Sequence, residues 1–597
     1  MRFSELSKYL QKLEDTTKRL EMVDILSDLI KNLDVEETDK AIYLASGYIG
    51  AQFEGIKFNI ADRMMFRVLE QSFSTAKNPD IKDNIQNLYA QTGDLGNVVF
   101  EFKKNDETSK NPTISEVYFK LIDISQIEGS GSQEAKITKI SNLIKDVDAL
   151  SAKHITRIIL GTMRLGFTEL TIIVALANFL NDKSLAKKIE NKYNIHPDIG
   201  LIAKKIKSDG IKGIDDIEME IGVPVLSQKA QRVSGMEEIM ERIDNVWAEF
   251  KFDGTRVQLH FAKKGNYDEK RNSDNKPQGS LFSGVKDETL VKTYTRNLEE
   301  TTHQYPEIIE AAKIQINANS AILDGEGIGY NKETGEFLPF QETIQRKRKY
   351  NISEAAKNIP LKYFVFDLLY LNGESIAHKP LSERRKLLSS VIKTGNVIEV
   401  DEHLETTEFE KLEEYFEIAK NKGLEGIVVK TPEDPYQAGA RSYSWIKYKT
   451  ADQKLLSDTV DCVVLGYYYG KGVRSKFGIG GFLAGVFDEK TNTFKTVSKI
   501  GTGLTEDDLK VLKAACDKIK IKELPKNVDV TKMFTPDVIV SPELVVEIGA
   551  DEISVSPSHT AKYALRFPRL IKFRHDKKPQ DATTVEEIKK IHKNQRK

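Results

Sequence analysis

The apolar pattern of this chain changes its period near Ile221-Gly-Val-Pro224, and that change limits what the chain can fold into. Up to about Gly222 the apolar residues return at helical spacing, as in Phe3, Leu6, Leu10 and Leu13, and again in Met22, Ile25, Leu26, Leu29 and Ile30. Such spacing lines one face of successive amphipathic helices, so residues 1–222 are expected to form an all-helical domain. From near Trp247 to past Trp445, short β-branched and aromatic runs separated by glycine-bearing turns predict a mixed α/β domain over residues 223–449. Beyond about Ala451 the chain is strand-rich again. Val460-Asp-Cys-Val-Val-Leu-Gly-Tyr-Tyr-Tyr-Gly-Lys-Gly472 reads as the first strand of a small barrel and a basic glycine turn. Residues 450–597 are therefore expected to form an OB-fold β-barrel with a basic C-terminal tail.

Length agrees with several cores, because 597 residues at roughly 100 to 200 per domain give three or four. The formal net charge is -1 with 30% charged residues, so an anionic partner must be met by segregated basic faces rather than by an overall field. One such face is available at the end of the chain, where residues 561–597 hold twelve Lys and Arg against four Asp and Glu. The two cysteines, Cys462 and Cys516, exclude a disulfide framework and a four-thiolate zinc site. Neither a signal-type apolar core in Met1–Leu10 nor a membrane-length apolar run occurs, so a soluble, cytoplasmic protein is expected.

Candidate chemistry centres on Ala248-Glu-Phe-Lys-Phe-Asp-Gly-Thr-Arg256. Strand alternation sends Phe250 and Phe252 to one side and Glu249, Lys251 and Asp253 to the other, and Gly254 ends the strand or admits a ligand to the backbone. An amine forms a covalent bond only when neutral, whereas a free lysine has a pKa of about 10.4. A nucleophilic Lys251 therefore needs nearby cations, a metal ion or partial burial, and Arg256 is close in sequence. A surface strand with a solvated charge ladder explains these nine residues equally well.

Further along, Tyr294-Thr-Arg-Asn297, Ile322-Leu-Asp-Gly-Glu-Gly327, Phe364-Val-Phe-Asp-Leu368, Glu425-Gly-Ile-Val-Val-Lys430 and Ser444-Trp-Ile-Lys-Tyr-Lys449 each set a cation or carboxylate on a strand. Singly each reads as structural. Together they point to one pocket for a polyanion and a divalent metal. The polar stretch 262–290 reads as a disordered hairpin extension. Lys153-His-Ile-Thr-Arg-Ile-Ile-Leu-Gly-Thr-Met-Arg-Leu-Gly166 mixes cations, apolar anchors and two glycines, which suits phosphate binding or an ordinary helix with a glycine cap.

In this order, Lys251-Phe-Asp-Gly-Thr-Arg256, Arg296, Asp324-Gly-Glu326, Phe366-Asp367, Glu425-Gly426, Lys447 with Lys449, and Arg566-Phe-Pro-Arg569 resemble the ATP-dependent DNA ligases of the archaeal and eukaryotic replicative type. The resemblance spans nearly the whole chain. It implies DNA-binding helices, an adenylation (nucleotidyltransferase) domain and an OB-fold barrel. It implies, too, an enzyme that seals nicks in duplex DNA during replication, repair and recombination. By that likeness Lys251 attacks the α-phosphate of ATP and forms lysyl-AMP, AMP passes to the 5′-phosphate of a nick, and the 3′-hydroxyl displaces it. All three steps are displacements at phosphorus, where developing charge calls for fixed cations and a metal.

Carried over by position, Glu249, Arg256, Arg296, Glu326, Phe366, Arg441 and Lys447 match the family's nucleotide-contacting residues, with Phe366 stacking on adenine. Glu326 and Glu425 match the metal side, for Mg²⁺ or alternatively Mn²⁺. Arg566 and Arg569, on a barrel that closes and later swings away, would orient pyrophosphate. Arg296 is preferred to Arg271 because Arg271 has no strand around it. The likeness also implies a monomer and, as a family expectation, a sliding-clamp partner, although no clamp-binding peptide is evident.

An RNA ligase or capping guanylyltransferase shares the lysyl-nucleotide chemistry but lacks so large a helical half. An NAD-dependent ligase would carry a four-cysteine zinc module. A non-catalytic nick-binding scaffold would lack Lys251 or the metal-side carboxylates.

Overall fold

Phe3, Leu6, Leu10 and Leu13 are fully buried, as are Leu26, Leu29 and Ile30, so the helical spacing of the first third translates directly into packed helices. The computed structural model describes the chain except residues 75–80, 107–108, 164, 234, 268–288, 347–351, 450–458, 471–473, 475–476 and 595–597. Helices run from Phe3–Asp15 to Ile211–Asp215 around one continuous apolar core. No described helix is long and apolar enough to cross a membrane.

The basic segment beginning at Lys153 takes the plainer of its two readings. Helix Ala149–Leu160 starts where the Asp148 carboxylate accepts from the Leu150 and Ser151 N–H groups, and ends at Gly161, whose φ of 63° suits a glycine. Its cations turn inward. Arg157 donates to Glu14 at 2.8 Å and to Asp94 at 3.2 Å, and Lys153 pairs with Glu14 at 2.9 Å. Because neighbouring helices cover this one, Lys153 and Arg157 serve the fold rather than phosphates; Arg164 lies outside the described residues.

Between these cations His154 is fully buried, and neither ring nitrogen has a hydrogen-bond partner among the described residues. Burial, with Lys153 and Arg157 beside it, pushes its pKa down to about 3. The unfolded chain protonates this histidine near 6.5 and the folded chain does not, so stability must fall as pH drops below about 6.5. The expected loss is roughly 2 kcal/mol between pH 6.5 and 5. His154→Leu should remove that dependence, as urea titrations of both proteins at the two pH values would show.

The linker after Asp215 leads into two sheets. Their strands in chain order are β1 Lys229–Arg232, β2 Val246–Lys251, β3 Thr255–Lys263, β4 Thr289–Tyr294, β5 Ser320–Gly329, β6 Leu361–Leu371, β7 Glu374–Ser375, β8 Ile398–Val400, β9 His403–Thr406, β10 Gly426–Lys430 and β11 Arg441–Lys449. One sheet has the order β1-β11-β10-β2-β9, and the other β4-β3-β5-β6-β7 with β8 on β6. Helix Phe409–Asn421 covers the first through Leu412, Phe416 and Ala419, and helices Pro306–Gln315 and Leu381–Val391 cover the second. A smaller cluster joins Ile322, Phe366 and Leu369 of the second sheet to Trp445 of the first, with Met219, Ile221 and Val225 of the linker. Strands β3 and β4 pair as far as Lys263 and Thr289, so most of the expected hairpin extension lies at 268–288, outside the described residues.

The chain divides into two compact units, Met1–Tyr448 and Lys449–Lys597. In the second, Val460–Tyr468 pairs with Gly481–Asp488 and with Val545–Gly549, and Gly481–Asp488 pairs with Thr493–Ile500, around a core that includes Cys462 and Val464. The basic stretch at its end carries strands Tyr563–Arg566 and Arg569–Phe573 and then a helix. Helix Val585–Asn594 buries Ile588 completely in that core, since the spacing of Val585, Ile588 and Ile591 makes one apolar face.

Candidate active site

Lys251 is the last residue of β2 and lies opposite Gly426 at the start of β10. The Glu425 N–H donates to the Lys251 carbonyl at 3.0 Å, and the Lys251 ammonium donates to the Glu425 carboxylate. Side chains of both are reachable, at 21% and 26% exposed. Phe250 and Phe252 flank the lysine on the apolar side. Phe250 stacks on Tyr415 at 4.5 Å and Phe252 on Phe364 at 4.3 Å, which fixes the strand end from below.

Gly254 then brings the chain hard against β5. A Cβ there would sit 2.5 Å from the Gly327 carbonyl oxygen and 3.0 Å from Glu326 Cγ, so a larger residue would displace the strand that carries Glu326. Arg256 and Glu326 are register partners across β3 and β5. The Arg256 guanidinium nevertheless forks onto Asp324, at 2.9 Å from Nε and 2.5 Å from Nη2. It also lies 4.9 Å over the Phe366 ring. Burial pushes the Glu326 carboxyl up to about 7; Lys251 and Arg256 oppose the shift, and Asp324 and Glu425 add to it.

Arg296 is exposed, and its charge feels Arg256, Arg441 and Glu326; burial and those two arginines lower its pKa. Arg441 is exposed at the start of β11. Lys447 is half-buried on the same strand, opposite Arg232 of β1. Two residues earlier Trp445 meets Phe366 edge-on at 5.9 Å. Ile446 and Tyr448 point into the other core, as alternation requires.

Glu249 is less open than a surface contact residue. Its carboxylate is buried, ion-paired with Lys430 and 3.5 Å from Arg385, and its Oε1 accepts no hydrogen bond among the described residues. Lys430 lies 4.4 Å over Phe366 and 4.3 Å over Trp445, and burial lowers its pKa. Phe366 is thus lined by two cations and 8% exposed. Asp367, quoted beside it in the sequence motif, is structural: it is fully buried in a forked pair with Arg384 at 2.7 and 2.9 Å.

Sequence reading left Asp324 and Lys430 without individual roles and passed over Tyr436 and Gln228. Asp324 had a signal, its two-residue spacing from Glu326 on one strand face. Tyr436 and Gln228 lie in irregular segments with none.

Glu326 and Glu425 supply hard oxygen donors whose mutual repulsion a divalent cation would relieve. Among the described residues no group of three or more His, Cys, Asp or Glu could hold a metal alone. Such a pair fits Mg²⁺, which keeps several waters and takes further oxygens from substrate phosphates.

A lysine, clustered arginines and paired carboxylates at strand ends of a two-sheet domain, between a helical region and a strand-rich unit in sequence, define a nucleotidyltransferase of ligase architecture. Residues 2–177 match the family description "DNA ligase N terminus", 276–449 "ATP dependent DNA ligase domain" and 475–577 "ATP dependent DNA ligase C terminal region". A "Probable DNA ligase" of Dictyoglomus turgidum is 42% identical over 100% of this chain and 98% of its own. "DNA ligase 1" of Methanosarcina mazei is 36% identical over 99% of each. The solved structure Pmar-Lig_Pre covers 96% of this chain and 99% of its own with a TM-score of 0.55; at 16% identity it speaks to the fold alone. The chain belongs to the ATP-dependent DNA ligase family.

Proposed function

We propose that this ligase seals nicks in duplex DNA through a lysyl-AMP intermediate on Lys251. One observation carries the reading: Lys251 ends its strand within hydrogen-bond reach of Glu425 and in the electrostatic field that also contains Glu326, Arg256 and Arg296. The Lys251 amine attacks the α-phosphorus of ATP, a P–N bond forms, the bond to the bridging oxygen breaks and pyrophosphate departs. The amine proton leaves toward Glu425, the group that already accepts from it. AMP then moves to the 5′-phosphate of a nick, and the 3′-hydroxyl displaces it to close the strand.

Arg256, Arg296, Arg441 and Lys447 meet the phosphates and ribose, and Phe366 offers its face to adenine with Glu249 nearby. Glu326 and Glu425 would hold Mg²⁺ or Mn²⁺, which would neutralise charge building on the transferred phosphoryl group. The working division is a DNA-binding domain at 1–222, an adenylation domain at 223–449 and an OB-fold domain at 450–597. The protein acts as a cytoplasmic monomer in replication, repair and recombination, with a sliding clamp as partner.

The test is a joining assay with ATP and Mg²⁺ on nicked duplexes bearing a 5′-phosphate or a 5′-hydroxyl, in DNA and in RNA. Closure should require the 5′-phosphate and be fastest on DNA. Equal or faster closure of nicked RNA would assign the chain to RNA joining instead.

A further inference from the structure

Arg296 is repelled by both Arg256 and Arg441. Like charges at this range drift apart unless the backbone beneath them is held. Contacts reaching back to the helical region and its linker hold two of them.

The first set runs through the linker. The Gln228 carbonyl accepts from Arg256 Nη1 at 3.2 Å. The Gln228 N–H donates to the Tyr436 hydroxyl at 3.0 Å, and that hydroxyl donates to Asp324 Oδ2 at 2.7 Å, the carboxylate onto which Arg256 forks. Gln228 Oε1 accepts from the Gln437 N–H at 2.8 Å, so the linker and the loop before β11 are tied at two points. The linker is itself anchored to the last helices, for the Leu226 N–H donates to the Asn194 carbonyl at 2.8 Å.

The second set runs through a turn. Arg296 rides on a tight turn in which the Leu298 N–H donates to the Thr295 carbonyl at 2.9 Å. Leu298 has a φ of 66°, an uncommon and strained backbone for a bulky side chain. It is only 4% exposed, because it packs on Ala51 and Phe53 of the helical region and on Val223 of the linker. The docking of that side chain compensates the strain and sets where the turn presents Arg296.

We propose that the helical region is a positioning element for the nucleotide site, acting on Arg256 through Gln228, Tyr436 and Asp324, and on Arg296 through Leu298 seated on Ala51 and Phe53. It follows that the region acts on the ATP step before any DNA is present. This inference rests on the lysyl-AMP reading.

The test measures transfer of label from α-labelled ATP to the full chain without DNA, over a range of ATP concentrations, in wild type, Tyr436→Phe and Leu298→Gly. Tyr436→Phe removes only the bridging hydroxyl. Leu298→Gly removes the docked side chain while suiting the left-handed backbone, so it should fold. In each variant the half-saturating ATP concentration should rise roughly tenfold, with the maximal rate within about twofold of wild type; the melting temperature should change little in Tyr436→Phe and fall in Leu298→Gly, which loses a buried side chain. Leu298→Met should restore the wild-type value. An unchanged half-saturating concentration overturns the inference for the arginine concerned, as does a fall in maximal rate and melting temperature alone. Absence of labelled wild type would contradict the function itself and is told apart by that control.

Discussion

Lys251→Ala is expected to lose ATP-dependent joining of nicked DNA by at least about a thousandfold, while keeping a far larger share of joining on nicks that already carry AMP at the 5′-phosphate. The split follows from the chemistry. Without the amine no P–N bond can form, so the activated 5′-end is never made, but the last displacement uses the 3′-hydroxyl of the DNA and not the lysine. Neighbouring groups that serve phosphates generally, such as Arg256 and Glu326, should depress both reactions when altered. If Lys251→Ala slowed both by the same factor, Lys251 would be a phosphate-binding cation and not a nucleophile.

The largest effect on stability is expected at Asp367. Asp367 and Arg384 are both fully buried and share a forked ion pair, and Arg384 Nη1 also donates to the Asp434 carbonyl at 3.2 Å. Asp367→Ala would strand a buried guanidinium, at a cost of about 3 to 5 kcal/mol. Replacing both partners by apolar residues, as in Asp367→Leu with Arg384→Met, should recover most of that loss. Urea titrations of the two proteins beside wild type decide the matter; a single variant as stable as wild type would mean that the pair does not organise β6 beneath Phe366.

Parts of the candidate site could be placed on their strands from the sequence because those strands have strong local patterns. The alternation around Lys251 placed Phe250 and Phe252 together, and both do pack in one core. Other parts depend on register, which no local pattern carries. That Lys251 meets Glu425 depends on β2 pairing with β10 across 174 residues of chain. That Arg256 grips Asp324, while Glu326 is its register partner, depends on side-chain reach across β3 and β5.

Lys153 and Arg157 show the converse. Their composition suited phosphates, but helices on either side turned them inward onto Glu14 and Asp94, and packing overrode composition. Ile588 likewise docks helix Val585–Asn594 on the core of its unit, within a stretch that net charge marked only as a basic tail.

Intact mass of the full chain after incubation with ATP and Mg²⁺, with no nucleic acid present, tests the central claim most directly. A gain of one adenylate per chain is predicted, absent in Lys251→Ala and lost when nicked duplex DNA is added. A wild-type chain whose mass stays unchanged under those conditions would contradict the account.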